Sequence, residues 1–170
     1  MAKFTLKQLQ EKIEKVYLIK DPYITEVMCA SIIAHFLSSD PCWIVIVAPS
    51  GGAKSEFINL LHLIKWKPPG DGKEEQEVHA MSTLTSKTFI SGQKAVGKDT
   101  SLLLQIVNGI ILIKDFTTIL NEQRDERAAI MGQFREIYDG SMSKSFGTGE
   151  TIKWVGKISI LAASTDEIHN

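Results

Sequence analysis

Apolar residues recur at Leu6, Leu9, Ile13 and Val16, one face of a helix. Thr5 and Gln8 form a capping box at its start. Asp21-Pro22 is a second start signal, a cap followed by a first-turn proline. Ile24, Val27, Met28, Ile32, Phe36 and Leu37 then predict a helix with a wide apolar face, ended by Ser38 to Pro41. Trp43 to Val47 (WIVIV) is too short for a helix and rich in β-branched residues, so it predicts a strand buried on both faces. Two later runs read the same way: Ile110 to Ile113, led in by Gly109, and Ile158 to Ala163 (ISILAA). Lys54 to Ile64 is helical in pattern, Lys65 to Glu77 is a polar loop, and Val78 to Met81 is a short strand. Short helices are expected around Ser86 to Ile90 and Ser101 to Val107. Asn121 is expected to cap a helix that buries Ile130, Met131, Phe134, Ile137 and Tyr138 and stops at Gly140. Ser141 to Lys157, with Gly147-Thr148-Gly149 at its centre, predicts a hairpin.

Apolar strands alternating with helices imply an α/β fold: a parallel sheet covered on both faces. The 170 residues suit about one domain, divided into an N-terminal helical segment (1–40) and a core (41–170). Ligands of such sheets bind where the strands' carboxyl ends meet the following loops.

Composition removes several alternatives. A content of 44% hydrophobic and 23% charged residues is that of a globular chain, not a disordered one. The net charge of −1 argues against a uniformly basic nucleic-acid sleeve. No apolar run approaches the ~18 residues of a membrane span, and the amphipathic, acid-containing N-terminus is no signal peptide. Cys29 and Cys42 have no paired spacing and read as packing residues in a reducing, cytoplasmic setting. His35, His62, His79 and His169 are too scattered for a zinc site.

The strongest chemical signal is Ala48-Pro49-Ser50-Gly51-Gly52-Ala53-Lys54-Ser55, between a strand and a helix. A phosphate-binding loop needs small residues so that backbone N–H groups turn onto phosphate oxygens, with a helix N-terminus behind them. It needs a lysine for the outer phosphates and a hydroxyl for magnesium, the roles of Lys54 and Ser55. The nucleotide-binding set is then Pro49, Ser50, Gly51, Gly52, Ala53, Lys54, Ser55 and Glu56, and the cofactors are ATP and Mg2+. Alanine replaces both usual glycines, and at Ala53 its Cβ crowds the backbone near the phosphates. The competing reading is a plain glycine-rich turn.

Asp115, in Gly109 to Phe116 (GIILIKDF), is the acid at the end of the second buried strand. It is a candidate magnesium ligand. Aligned on Gly109, it falls instead in the position of a catalytic base, with Lys114 in the metal position. A third reading has it capping a turn with Thr117 and Thr118. Glu122 and Glu126 are remote alternatives for the base. Thr165, with Ser164 second, is placed to reach the γ-phosphate or its water, or forms a simple Ser/Thr turn.

With these strand ends in place, the chain resembles the AAA+ branch of P-loop ATPases over roughly Pro41 to Thr165. KDFTTIL (114–120), RDER (124–127), REIYDG (135–140) and FGTGE (146–150) also look like ATP-binding proteins of phages and mobile elements. The resemblance implies catalytic roles for Lys54, Asp115 and Thr165, with Asp115 the Walker B acid and Thr165 the sensor. It makes Ser141 to Lys157 a pre-sensor hairpin that touches DNA or a protein client, with Lys144, Phe146 and Lys153 as candidate DNA contacts. It implies a homo-oligomeric ring and a DNA-directed motor or remodeller. AAA+ cores add a fifth strand, an arginine finger and a helical lid after the sensor strand, and this sequence ends at Asn170 before any of these. In the usual strand order Trp43 to Val47 would lie at an open edge. It would be covered by the N-terminal helices or a partner chain, or the sequence is a piece of a longer one. Arg124, Arg127 and Arg135 are expected in i,i+3 and i,i+4 pairs with acids rather than as a finger.

Overall fold

The computed structural model describes residues 5–17, 21, 23–67, 78–91, 94–95, 98–99 and 101–165. The expected proline start at Pro22, most of the polar loop (68–77) and His169 lie outside them.

The core is a four-stranded parallel sheet. Its strands are β1 (Trp43–Val47), β2 (Val78–Met81), β5 (Asn108–Ile113) and β8 (Lys157–Ser164), in the order β1-β8-β5-β2. Trp43 to Val47 pair with Ile160 to Ser164, and Asn108 to Ile113 with Lys157 to Ala162. Ile110, Ile111, Leu112 and Ile113 are all fully buried. At about 1.5–3 kcal/mol per buried aliphatic side chain, β5 alone contributes about 6–12 kcal/mol of apolar burial before entropy is subtracted. That burial requires cover on both faces.

One face is covered by α1 (Leu6–Glu14), α2 (Ile24–Ala34) and α3 (Lys54–Leu63). Ile13, Met28, Ile32, Ile58 and Leu61 pack there against Ile110, Leu112, Leu161 and Ala163. The Thr5–Gln8 capping box of α1 forms in both directions. The Asp21 carboxylate accepts from the Tyr23 N–H, one residue before α2. The inward face of α2 differs from the apolar pattern: Thr25 and Ser31 are buried while Val27 and Leu37 are exposed. The Ser31 hydroxyl donates to the Val27 carbonyl at 2.6 Å, which removes the cost of burying it.

The other face is covered by α6 (Arg124–Tyr138). Phe134 sits at its centre, in ring contact with Trp43, Phe89 and Phe116. The Trp43 indole N–H donates to the Ile158 carbonyl, locking β1 to β8 through a side chain as well as the ladder. The cap of this helix is Gln123, two residues later than expected. Asn121 instead closes a short α5 (Thr117–Leu120), and Asp125 and Glu126 supply the favourable charge at the start of α6. Tyr138, expected inside, is 43% exposed and meets Trp43 edge-on.

Three further expectations are corrected. Ser86 to Ile90 is a turn, not a helix; the Thr85 carbonyl accepts from Thr88 N–H, and Phe89 and Ile90 are fully buried. A small antiparallel pair, β3 (Lys94–Ala95) and β4 (Lys98–Asp99), forms in the polar stretch that carried no strand signal. β1 is not buried on both faces: Val45 and Val47 are 41% and 38% exposed, and among the described residues β1 pairs only with β8, beyond the cover that α6 gives the central strands. It is the open edge anticipated from strand order, and α2 covers its Ile44–Ile46 face without covering the edge.

A short α4 (Leu102–Gln105) precedes β5, and the hairpin of β6 (Ser141–Ser145) and β7 (Thr151–Val155) follows α6 and leads into β8. Gly140 and Gly149 take the left-handed backbone that its turns require. Gly156 passes so close to the chain before β5 that a Cβ there would stand 1.8 Å from the Val107 carbonyl oxygen. Gly156→Ala is therefore expected to lose about 2–3 kcal/mol of stability in urea unfolding, through overpacking against backbone that cannot yield.

His35 joins α2 to β8 through a 3.0 Å hydrogen bond between Nδ1 and the Ser159 hydroxyl. Burial, helped by the Lys157 charge, pushes its pKa down from 6.5 to about 4. The folded state thus takes up this proton at lower pH than the unfolded chain. The stabilisation is complete above about pH 6.5 and is lost as pH falls toward 4. Stability is expected to drop by on the order of 1–2 kcal/mol between pH 7 and 5, with that slope flattened in His35→Gln.

Candidate functional site

The polar strand ends converge at the carboxyl edge of the sheet. β1 runs into the 48–53 turn, which opens α3. Ala48 N–H donates to the Ser164 carbonyl, tying this turn to the end of β8. Gly51 has φ +78, and Ala53 has φ +56 and ψ +17. Ala53 is the one non-glycine in the left-handed region among the described residues. A Cβ on Gly52 would meet the Pro49 carbonyl oxygen at 3.0 Å, so that position is closed to larger residues. No side chain caps α3, so its first-turn N–H groups keep the donor capacity that anions use. The Lys54 ammonium donates to the Ala48 and Pro49 carbonyls, the second at 2.7 Å. It is folded over the turn it follows.

Alternation along β5 assigns the next two residues. Ile110 and Leu112 face α3, while Ile111 and Ile113 face α6. Lys114 continues the ladder, donating its N–H to the Met81 carbonyl, and so falls on the α3 side. Asp115 follows, and its carboxylate accepts from the Thr117 N–H at 3.0 Å. The Thr118 hydroxyl donates to the Asp115 carbonyl at 2.8 Å. The turn-capping arrangement among the three readings of Asp115 is thus present, with the side chain still at the cleft.

Thr165, with Leu161 and Ala163, takes the α3 side of β8. Its N–H donates to the Thr117 hydroxyl at 2.9 Å, and the two hydroxyls lie 3.1 Å apart. The Ser164 hydroxyl is 3.2 Å from the same Thr117 oxygen. Thr117 therefore joins the ends of β5 and β8.

These residues enclose a cleft of about 460 Å³ lined by Tyr17, Ser50 to Glu56, Lys114, Asp115 and Thr165. Of the sequence-derived set, Ser50, Gly51, Gly52, Ala53, Lys54, Ser55, Glu56, Asp115 and Thr165 come together there. Pro49 contributes a carbonyl to Lys54 instead. Sequence reasoning missed Tyr17, and took Thr117 only as a turn partner of Asp115 rather than as the link between β5 and β8. Tyr17 closes the first helix, where an aromatic reads as packing; Thr117 stands in KDFTTIL with no spacing that singles it out. A larger cavity of about 590 Å³, on the α6 face against Trp43, Phe134 and Tyr138, is mainly apolar.

The hairpin candidates divide. Lys144 turns inward toward the Ser86 and Ile90 carbonyls and lies 5.8 Å from the Phe146 ring centre. Phe146 packs on the core. Lys153 is exposed on the opposite side of the ribbon. Glu126, a remote candidate base, accepts from the Ser86 N–H at 2.6 Å and hydroxyl at 2.9 Å, and those bonds lower its pKa. It holds the 83–91 segment against α6, away from the cleft. Arg127 donates to the Leu120 carbonyl and Arg135 lines the apolar cavity. Cys29 is buried and its thiol is pushed up to about 11, an inert packing residue. Among the described residues, no three His, Cys, Asp or Glu side chains gather as a metal site, and no helix is long and apolar enough to cross a membrane.

Comparison with protein-family models and with curated proteins returned no match.

Ala53 gives the site a measurable strain. The left-handed conformation costs an L-residue about 1–2 kcal/mol, while glycine adds about 0.5–1 kcal/mol of unfolded-chain entropy. Ala53→Gly is therefore expected to raise stability by up to about 1 kcal/mol in urea unfolding, and Ala53→Val to lower it.

Proposed function

We propose that this chain is the ATP-binding core of a P-loop ATPase of AAA+ type. The observation that carries the reading is the convergence of the 50–56 turn with Asp115 and Thr165 in one cleft at the carboxyl ends of β1, β5 and β8. The strand order β1-β8-β5-β2, with the phosphate turn on the edge strand, supports it. In this reading the triphosphate lies over the uncapped start of α3. Lys54 leaves the Ala48 and Pro49 carbonyls for the outer phosphates, and the Tyr17 ring at the cleft rim offers a face to the base. The Thr117–Thr165 hydroxyl pair presents a donor where the terminal phosphate ends.

The expected magnesium pair, Ser55 and Asp115, is not well matched to a metal held by the protein. Magnesium demands octahedral oxygen ligation. Asp115 already accepts from Thr117 N–H, and Lys114 brings an ammonium into the same cleft. A second reading, nucleotide binding without hydrolysis, is favoured by this and by the absence of a second acid beside Asp115.

The role we assign is a DNA-directed motor or remodeller of phage or mobile-element type, acting as a homo-oligomer in the cytoplasm. The 141–157 hairpin is its client contact. Lys153 and the exposed Ser143 beside it support that assignment; Lys144 and Phe146 serve it indirectly, by fixing the ribbon.

Titration calorimetry of the chain with ATP and magnesium is expected to give saturable binding, weakened by about tenfold or more in Lys54→Ala. Phosphate release with DNA present then separates ATPase from binding module. No saturable binding would overturn both and leave a P-loop fold serving as an adaptor.

A further inference from the structure

We propose that Lys114 is a second phosphate-binding cation, so that this cleft takes a nucleoside triphosphate through protein ammonium groups without a protein-held magnesium ion. The inference rests on the ATP reading above and adds how the charge of the triphosphate is met.

The placement is geometric. Ile110 and Leu112 face α3, and the bond from Lys114 N–H to the Met81 carbonyl carries the ladder one residue further. The side chain thus leaves the sheet toward the 50–56 turn, and it lines the cleft with Lys54. Asp115, one residue on, also lines the cleft, with one carboxylate oxygen accepting from the Thr117 N–H. The residue following the buried run of β5 is thus a cation, and the acid beside it has one oxygen committed to the backbone of α5.

The second observation is what Lys114 lacks. Among the described residues, no carboxylate or carbonyl accepts from its ammonium, whereas Lys54 is satisfied by two carbonyls and Lys144 lies near two. A partly buried lysine that lines this cleft with no partner for its ammonium among the described residues is suited to an anion. A triphosphate carries about four negative charges near neutral pH. Lys54 and Lys114 offset the Glu56 and Asp115 carboxylates of the same lining, so the triphosphate depends on direct contact with the two ammonium groups and on the partial charge at the first turn of α3. A magnesium ion placed by the protein on the Lys114 side would meet that ammonium directly, and at a few ångströms like charges repel by several kcal/mol even at intermediate dielectric.

The test is calorimetric titration of ATP in magnesium and in EDTA, with wild type, Lys114→Met, Lys114→Asp and Lys54→Ala. The expected result is wild-type affinity in EDTA within about threefold of that in magnesium. Lys114→Met is expected to lose about 10- to 100-fold in EDTA, the worth of a charge-assisted contact. Lys114→Asp is expected to bind only with magnesium, a change of metal dependence that a merely structural lysine would not produce. Wild-type binding that disappears in EDTA overturns the proposal whatever the variants do. Binding that persists in EDTA unchanged by Lys114→Met overturns it too. In both cases loss of binding in Lys54→Ala keeps the ATP reading standing. Absence of ATP binding by the wild type in both solutions overturns that reading and this proposal together.

Discussion

Burial of β5 and β8 on both faces is the constraint from which the rest of the structure follows. Ile110 to Ile113 and Ile158 to Ala163 are each under 5% exposed. Neither of these runs can carry a charged side chain without an unpaired buried charge. Polar chemistry is therefore displaced to the residues just past the strands, Lys114, Asp115, Ser164 and Thr165. Because the strands are parallel, those residues come together at one edge. The same burial demands a helix layer on each side, and the start of α3, in one of those layers, is brought to the same edge.

At that edge the backbone and the hydroxyl groups hold one another in place. Ser164 is 1% exposed and Thr117 6%, so their oxygens need partners, and they find them in each other and in Thr165. The knot fixes the distance between the ends of β5 and β8. The turn before α3 is held less economically. Ala53 sits in a conformation suited to glycine, and Lys54 bonds carbonyls of its own turn.

The net charge of −1 conceals an uneven distribution. Two lysines face the cleft, and the Lys144 ammonium is turned toward backbone carbonyls of the 83–91 segment. That segment contributes Phe89 and Ile90 to the core without regular structure. Ser86, bonded by Glu126 and Gln133, acts as its peg. The buried side-chain amide oxygen of Gln133 has no partner among the described residues, a local cost of holding the peg.

Local pattern was enough to read the strands at 43–47, 78–81 and 110–113, the ISILAA run within β8, the hairpin with its glycines and the small-residue turn between β1 and α3, because each is set by periodicity or by a short run of small residues. The Thr5–Gln8 box was legible for the same reason: its partners are three residues apart. What local pattern misplaced depends on neighbours far along the chain. An apolar run reads alike in a central strand and at an edge, and only the pairing of β1 with β8 alone exposes Val45 and Val47. Asn121 is a good cap for either helix it adjoins, and packing of α5 decided between them. Sequence by itself determined the α/β class, the buried strands and the residue types at their ends. Tertiary structure decided which of those end residues meet, since the side of the sheet a residue takes past a strand end follows from register and layer packing. That is what set Lys114 and Thr165 toward Lys54, bonded Asp115 to the Thr117 N–H, and turned Lys144 away from the exposed face that keeps Lys153.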